Sequence, residues 1–260
     1  MQKQWKTLQD GLRKYCTENG FQKVILGLSG GIDSALVAVL AADTLGGENV
    51  TAIMMKTRYT SDLSLKIVRE LAKNNHLNYR EWDIEPLVQA ETEFLNDVFA
   101  EKAKGIVIEN LQARIRGQLL MAYSNQSGGL VLACGNKSEA LTGYCTLYGD
   151  TCGGLMPIGN VYKTQIFELA KWRNSIGYVL PEAVITRAPS AELAEGQVDE
   201  NSLPPYPVLD AVLKLLFDEH RTVAEVAALG YDMALVKRVE QLIKRSEFKR
   251  KQLADAVAIA

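Results

Sequence analysis

Residues 24–36 read Val24-Ile25-Leu26-Gly27-Leu28-Ser29-Gly30-Gly31-Ile32-Asp33-Ser34-Ala35-Leu36. An apolar, β-branched run enters a serine–glycine turn, and an apolar helical pattern leaves it. That order spells strand, tight loop, helix. Glycines let backbone N–H groups turn inward and let anionic oxygens come close. The helix N-terminus points its dipole at the same spot. Ser29 and Ser34 add hydroxyl donors. The carboxylate of Asp33 is out of place in an anion cradle unless it holds a cation, and Mg²⁺ bridging phosphates is the usual one. The loop is not a Walker A, because no Lys-Ser or Lys-Thr ends it, and it is not GxGxxG.

Outward from this loop the chain alternates helix and strand. Further buried strands are expected at 50–55, 79–84 and 130–133. Helices are expected at 4–19, 34–45, 61–74, 86–102, 109–126, 137–144 and 163–176. The first carries Trp5, Leu8, Leu12, Tyr15 and Cys16 at helical spacing and stops at Gly20. Strands that are apolar without alternation argue for a parallel sheet covered on both faces. The expectation is one α/β domain over residues 1–260, with a Rossmann-like parallel sheet of about five strands. A helical C-terminal portion follows, at 207–219, 222–229 and 231–245. Residues 145–162 are glycine-rich and aperiodic, and form a long loop. Residues 186–207 are polar and proline-rich. They read either as a surface connection or as a lid.

Composition excludes several classes. The chain has 260 residues, 47% hydrophobic and 23% charged, with a net charge of −2. That suits a globular enzyme with a sizeable core. A duplex-binding surface normally brings a large basic excess, so no nucleic-acid partner is expected. No apolar run approaches the roughly 20 residues of a membrane span. The charged, amphipathic N-terminus has no secretory pattern, so a cytoplasmic location is expected. The 4 cysteines form no CxxC, which speaks against a zinc knuckle. With only 2 histidines, His76 and His220, a Ser-His-Asp or Cys-His mechanism has little to work with.

Two more places carry chemistry. Glu139 lies in Gly135-Asn136-Lys137-Ser138-Glu139, just after a short strand, where parallel sheets bind ligands. It would complete an oxygen site for Mg²⁺ with Asp33, or else simply favour a helix N-terminus. Arg114 and Arg116 are two apart and point to different helix faces, so that one can reach a ligand while the other pairs internally.

The loop Ser29–Ser34 resembles the SGGxDS signature of the ATP pyrophosphatase superfamily. Further segments are similar to NAD synthetases over nearly the whole chain: ENLQARIRG at 109–117, GNKSEALTGY at 135–144, TLYGDTCGGLMPIGNVYKTQIFELA at 146–170, ITRAPSAEL from 185, and RSEFKRKQ at 245–252. GNKSE, YKTQ and SLPPY resemble the synthetase domain of the bacterial glutamine-dependent branch. The ammonia-dependent branch typically has TKYGDGGAD where this chain has Thr146-Leu147-Tyr148-Gly149-Asp150-Thr151-Cys152-Gly153-Gly154.

The resemblance implies an adenine nucleotide alpha hydrolase-like fold and ATP-dependent amidation of deamido-NAD through an acyl-adenylate. It implies Asp33, Glu139 and Lys163 as catalytic residues, with Asp33 and Glu139 holding Mg²⁺. ATP would meet Gly27, Leu28, Ser29, Gly30, Gly31, Ile32, Asp33, Ser34, Lys163 and Ser190. Arg58 would lie over the adenine or ribose. Cys134, where the family usually has a small hydroxyl residue, is expected to pack and to offer its backbone. Deamido-NAD would meet Asn110, Arg114, Glu139 and Lys249. The glutamine-dependent relatives carry an N-terminal amidase domain. This chain reaches its first strand after a single helix, and its Met1 fits a stand-alone start. Either the enzyme uses free ammonia, or the chain is an excised domain, or a separate amidase supplies ammonia; ammonia is the expected nitrogen source. A homodimer is expected, because in the family the dinucleotide lies at a dimer interface.

Overall fold

The computed structural model describes residues 1–187, 192–194 and 203–259. Four parallel strands, β1 (Val24–Gly27), β2 (Val50–Lys56), β3 (Asn78–Asp83) and β4 (Leu130–Val131), lie in the order β3-β2-β1-β4. Val24 pairs with Val50 on one side and with Leu130 on the other.

Side chains alternate across the sheet as the pleat requires. Val24, Leu26, Val50, Ala52 and Met54 face one layer. It holds α1 (Gln2–Glu18), α2 (Ile32–Leu45), α3 (Asp62–Asn74), α7 (Lys163–Ile176) and α8 (Glu182–Thr186). Ile25, Ile53, Met55 and Val131 face the other layer, which holds α4 (Glu85–Phe99) and α5 (Ile106–Ser127). The helix α2 fills the middle and is buried nearly all round, which is why its sequence shows no polar face.

The fifth strand is reduced to single parallel bridges, Leu132 to Leu155 and Met156 to Ala256. The chain after Gly153 runs close along the β4 segment, with the Gly154 N–H donating to the Val131 carbonyl and the Ala133 N–H to the Leu155 carbonyl, each at 2.9 Å. A Cβ on Gly153 would sit 2.6 Å from the Ala133 nitrogen. Pro157 then ends pairing, because it has no N–H to give. The edge strand β3 also departs from the buried pattern expected for it. Its faces alternate between half-buried and exposed, and Glu81 on it is gripped by Arg69 at 2.9 Å.

Short helices cover the remaining elements: α6 (Lys137–Thr142), α9 (Tyr206–Leu213), α10 (Val223–Ala228), α11 (Met233–Arg245) and α12 (Glu247–Arg250). Leu209, Val212, Val226, Val236 and Val239 form a second apolar cluster, which reaches back to Leu141 and Tyr162. Expected helix ends shift where a residue takes a left-handed conformation: Ala100 (φ 53°) closes α4 and Gly143 (φ 72°) closes α6.

One carboxylate ties three helices of the first layer. Asp43 on α2 accepts from Trp5 Nε1 at 3.1 Å and from Arg173 Nε at 2.6 Å and Nη2 at 2.9 Å. Asp43→Ala strands a mostly buried guanidinium and an indole N–H. It is expected to lower the unfolding free energy by about 2–3 kcal/mol in a urea titration. A change within error of zero would show that the clamp is dispensable.

Candidate active site

The strand order reverses at β1. The chain runs from β1 to β2 and β3 on one side, then returns to place β4 on the other. Beyond such a switch the loops at the strand ends diverge and leave a crevice. Here the crevice is a cavity of about 280 Å³. The loop after β1 and the loop after β4 form its floor.

The first loop is set by its own hydroxyls. Ser34 Oγ receives the Ser29 N–H at 3.2 Å and lies 3.1 Å from Ser29 Oγ, which in turn receives the Gly31 N–H at 3.2 Å. Gly30 has φ +87°, and a Cβ there would press on Ser64 at 3.1 Å, so both conformation and space require glycine. The second loop ends in a capping box. Asn136 Oδ1 accepts from the Glu139 N–H at 3.0 Å, and Glu139 Oε2 accepts from the Asn136 N–H at 3.2 Å. Asn136 Nδ2 donates to Asp33 Oδ1 at 2.8 Å and so joins the two loops.

Lys163 stands at the centre. Its side chain is 2% exposed, and its Nζ lies 2.5 Å from Asp33 Oδ2 and 3.6 Å from Glu139 Oε1. It also faces the Tyr206 ring at 5.3 Å. Its backbone N–H donates to Ser138 Oγ at 3.0 Å. Asp210 of α9 accepts from Ser138 Oγ at 2.5 Å and from the Thr164 N–H at 2.8 Å, which fixes the start of α7.

One ammonium does not neutralise two carboxylates taken out of water. Burial first, and then the charge of Asp33, push the Glu139 carboxyl up to about 8, against the pull of Lys163. Asp150 keeps one flank in solvent, yet crowding protein pushes its carboxyl up to about 6 even though Thr146 N donates to it at 2.6 Å. Excess negative charge on oxygens fits a hard divalent cation. Among the described residues no cluster of three or more His, Cys, Asp or Glu forms, so ligand oxygens would have to complete such a site.

The cavity wall includes the stretch Gly27–Ser34 apart from Gly30, together with Cys134, Glu139 and Lys163. Cys134 Sγ lies 4.0 Å from the Gly27 carbonyl, and burial pushes its thiol up. The other expected residues lie outside the wall. Arg58 is held by Glu85, with Nε at 2.7 Å from Oε1. Asn110 Oδ1 accepts from Thr146 Oγ1 at 2.8 Å, Arg114 Nε donates to the Leu147 carbonyl at 3.2 Å, and Lys249 Nζ donates to the carbonyls of Gly143 at 2.8 Å and Cys145 at 2.6 Å. These three converge on one loop, 143–150, whose Thr146 and Asp150 border the cavity. Ser190, and most of the lid-or-connection segment 186–207, lie outside the described residues.

Some wall residues carry no role that the sequence alone assigns. Arg116 borders the cavity, whereas its neighbour Arg114 is exposed. Burial pulls the Arg116 guanidinium down to about 10. Its place among Ala113, Gly117 and Leu120, at helical spacing, was the available signal. Glu192 accepts from Ser61 Oγ at 2.8 Å, Ser64 Oγ at 2.9 Å and Arg187 Nη2 at 3.0 Å. Nothing periodic marks it.

Fold and site together define an α/β nucleotide-binding protein with its ligand crevice at the strand switch. Residues 4–253 match the model of the family described as NAD synthase, and the chain belongs to that family. It is 48% identical over 252 residues to a glutamine-dependent NAD(+) synthetase of Xanthomonas campestris, covering 96% of this chain and 46% of that protein. It thus spans about half the length of the curated relatives it matches. The structure of the glutamine-dependent NAD+ synthetase of Acinetobacter baumannii with ADP superposes with a TM-score of 0.70 at 43% identity, over 98% of this chain and 46% of that one. The NH3-dependent NAD synthetase of Campylobacter jejuni superposes at 0.76 and 31%, over 95% of both chains.

The Glu139 carboxyl gives the free protein a pH signature. Below pH 4.5 it is protonated whether the chain is folded or not, and contributes nothing. As pH rises from 4.5 toward about 8, the unfolded chain releases the proton and the folded one keeps it, so stability falls. Glu139→Gln removes this loss. Its melting temperature is expected to exceed that of the wild type by a margin that widens over this range. A margin independent of pH would rule out a retained proton.

Proposed function

We propose that this chain catalyses the ATP-dependent amidation of deamido-NAD to NAD, with ammonia as the nitrogen donor. The observation that carries the reading is the convergence of Asp33, Glu139 and buried Lys163 on the glycine–serine loop at the N-terminus of α2. The nicotinate carboxylate oxygen attacks the α-phosphorus of ATP. The bond to the bridging oxygen breaks, and pyrophosphate leaves with its electron pair. Ammonia then attacks the acyl carbon of the adenylate, AMP departs, and the amide nitrogen loses its surplus proton to water or base.

The protein's share is positioning and charge neutralisation. The N–H groups of the loop and the dipole of α2 face the departing pyrophosphate. Lys163 exchanges its carboxylate partners for phosphate oxygens as a mobile point charge. Asp33 and Glu139 would hold Mg²⁺, which offsets the phosphate charge. Asn110, Arg114 and Lys249 shape the loop 143–150 on the dinucleotide side.

Burial raises all four thiols: Cys16, Cys134, Cys145 (to about 12) and Cys152. None is an activated nucleophile for releasing ammonia from glutamine. A cytoplasmic setting suits these reduced thiols, and no helix among the described residues is long and apolar enough to cross a membrane. Leu87, Phe94 and Val98 line one face of α4 and are exposed, as are Ile106 and Val107 of α5. This apolar face supports a homodimer. Sedimentation of the pure protein is expected to give a dimer, and a monomer at assay concentration would overturn that assignment.

The test of function mixes the pure protein with ATP, Mg²⁺ and deamido-NAD, and measures NAD, AMP and pyrophosphate. Ammonium is expected to support turnover, at a rate rising with pH as neutral ammonia grows. Glutamine freed of ammonia is expected to give none. Asp33→Ala, folded by circular dichroism, is expected to fall below a few per cent of the wild-type rate. NAD formation from glutamine alone, or full activity of the variant, would sink this reading.

A further inference from the structure

Among the described residues, three cations border the cavity: Lys163, Arg187 and Arg116. The first two are already spoken for. Lys163 is paired with Asp33 and Glu139, and Arg187 with Glu192. Among the described residues, Arg116 takes part in no ion pair. Its Nε donates to the Met55 carbonyl at 3.2 Å, and its Nη1 is shut off from solvent with no hydrogen-bond partner. A guanidinium carries five N–H donors in a rigid fork. Placing one at a buried site with donors unmet costs free energy that its described neighbours offset only in part. The surroundings are mostly apolar: Met55, Gly117 and Leu120 stand beside it on the wall. Glu192 is the charge that acts on it, but that carboxylate is already held by Ser61, Ser64 and Arg187.

We infer that Arg116 is a ligand-binding residue whose guanidinium is completed by a phosphoryl group of the bound nucleotide. This rests on the nucleotide-binding reading of the cavity but not on the amidation step. The pinned Nε sets the plane of the fork from the Met55 side, so the rest of the head is oriented before the ligand arrives. A phosphoryl oxygen supplies both the missing acceptors and the missing charge, which a purine ring or a ribose hydroxyl does not. ATP and the dinucleotide both bring such groups, and the binding measurements separate them.

The test uses Arg116→Met, similar in bulk and uncharged, and Arg116→Lys, which keeps a charge without the fork. Calorimetric titrations with ATP, deamido-NAD and adenosine are run beside thermal unfolding of the free proteins. Arg116→Met is expected to weaken binding of ATP, of deamido-NAD or of both by about tenfold or more. Adenosine, which has no phosphate, is expected to bind as before. The ligand that suffers names the source of the phosphoryl group. The free Arg116→Met protein is expected to melt at the wild-type temperature or above it, because an uncompensated buried charge has gone. Arg116→Lys is expected to bind phosphorylated ligands between the two. Equal losses for adenosine and ATP, no loss for any phosphorylated ligand, or a lower melting temperature in both variants would overturn the inference. So would failure of both variants to fold, since each makes Arg116 a structural residue. NAD formation by the wild type, assayed in parallel, reports separately on the proposed reaction.

Discussion

A lysine ammonium 2% exposed to water is tolerable only if anions meet it inside the protein, and the placement of Lys163 governs much of the architecture. The carboxyl groups around it come from opposite sides of the strand switch: Asp33 from the helix after β1, Glu139 from the helix after β4. The contact between Lys163 and Asp33 spans 130 residues of sequence. For all three to meet, β1 and β4 must be neighbours and α7 must start over their C-terminal ends. Asn136 adds a direct bond from one loop to the other. The crevice is thus assembled by side chains that hold one another in place without a ligand, though without balancing their charge.

This arrangement makes the free site electrically frustrated. Glu139 sits near two charges of opposite sign and is buried as well, so it holds its proton to about pH 8. Arg187 is quieted by Glu192, and Lys163 chiefly by Asp33, while Arg116 has no ion-pair partner among the described residues. A polyanion with its cation would rearrange all of these at once. Binding energy is then spent on re-pairing groups that are already in place, not on gathering them.

The α/β class, the parallel sheet and the cradle were legible because each rests on local pattern: an apolar strand, a glycine turn, an apolar helix. Asp33 stood out because its charge contradicts its surroundings. The fifth strand was not legible as a pair of bridges, because its partners, Leu132 and Ala256, lie far from it in sequence. The same holds for β3, whose exposure follows from being at an edge. Arg58 and Arg114 look like ligand residues in sequence; without a ligand, Arg58 pairs with Glu85 and the Arg114 Nε donates to the Leu147 carbonyl. Which arginine of the Arg114–Arg116 pair faces the cavity depends on how α5 rolls against the sheet, and two positions of sequence do not determine that. Glu192 lies in an aperiodic stretch, and only the fold brings it to Ser61 and Ser64.

Asp210 carries a consequence for how divisible the molecule is. Its carboxylate belongs to the C-terminal helices, but its two acceptor bonds end at Ser138 and at the start of α7, next to the lysine in the crevice. The C-terminal helices are therefore not a detachable module, although they have an apolar cluster of their own. A chimera joined anywhere between α7 and α9 inherits the lysine from one parent and the carboxylate that seats its helix from the other. Such a hybrid can keep both cores well packed and still misplace the ammonium. Recombination between relatives should accordingly treat Ser138, Lys163 and Asp210 as one hereditary unit.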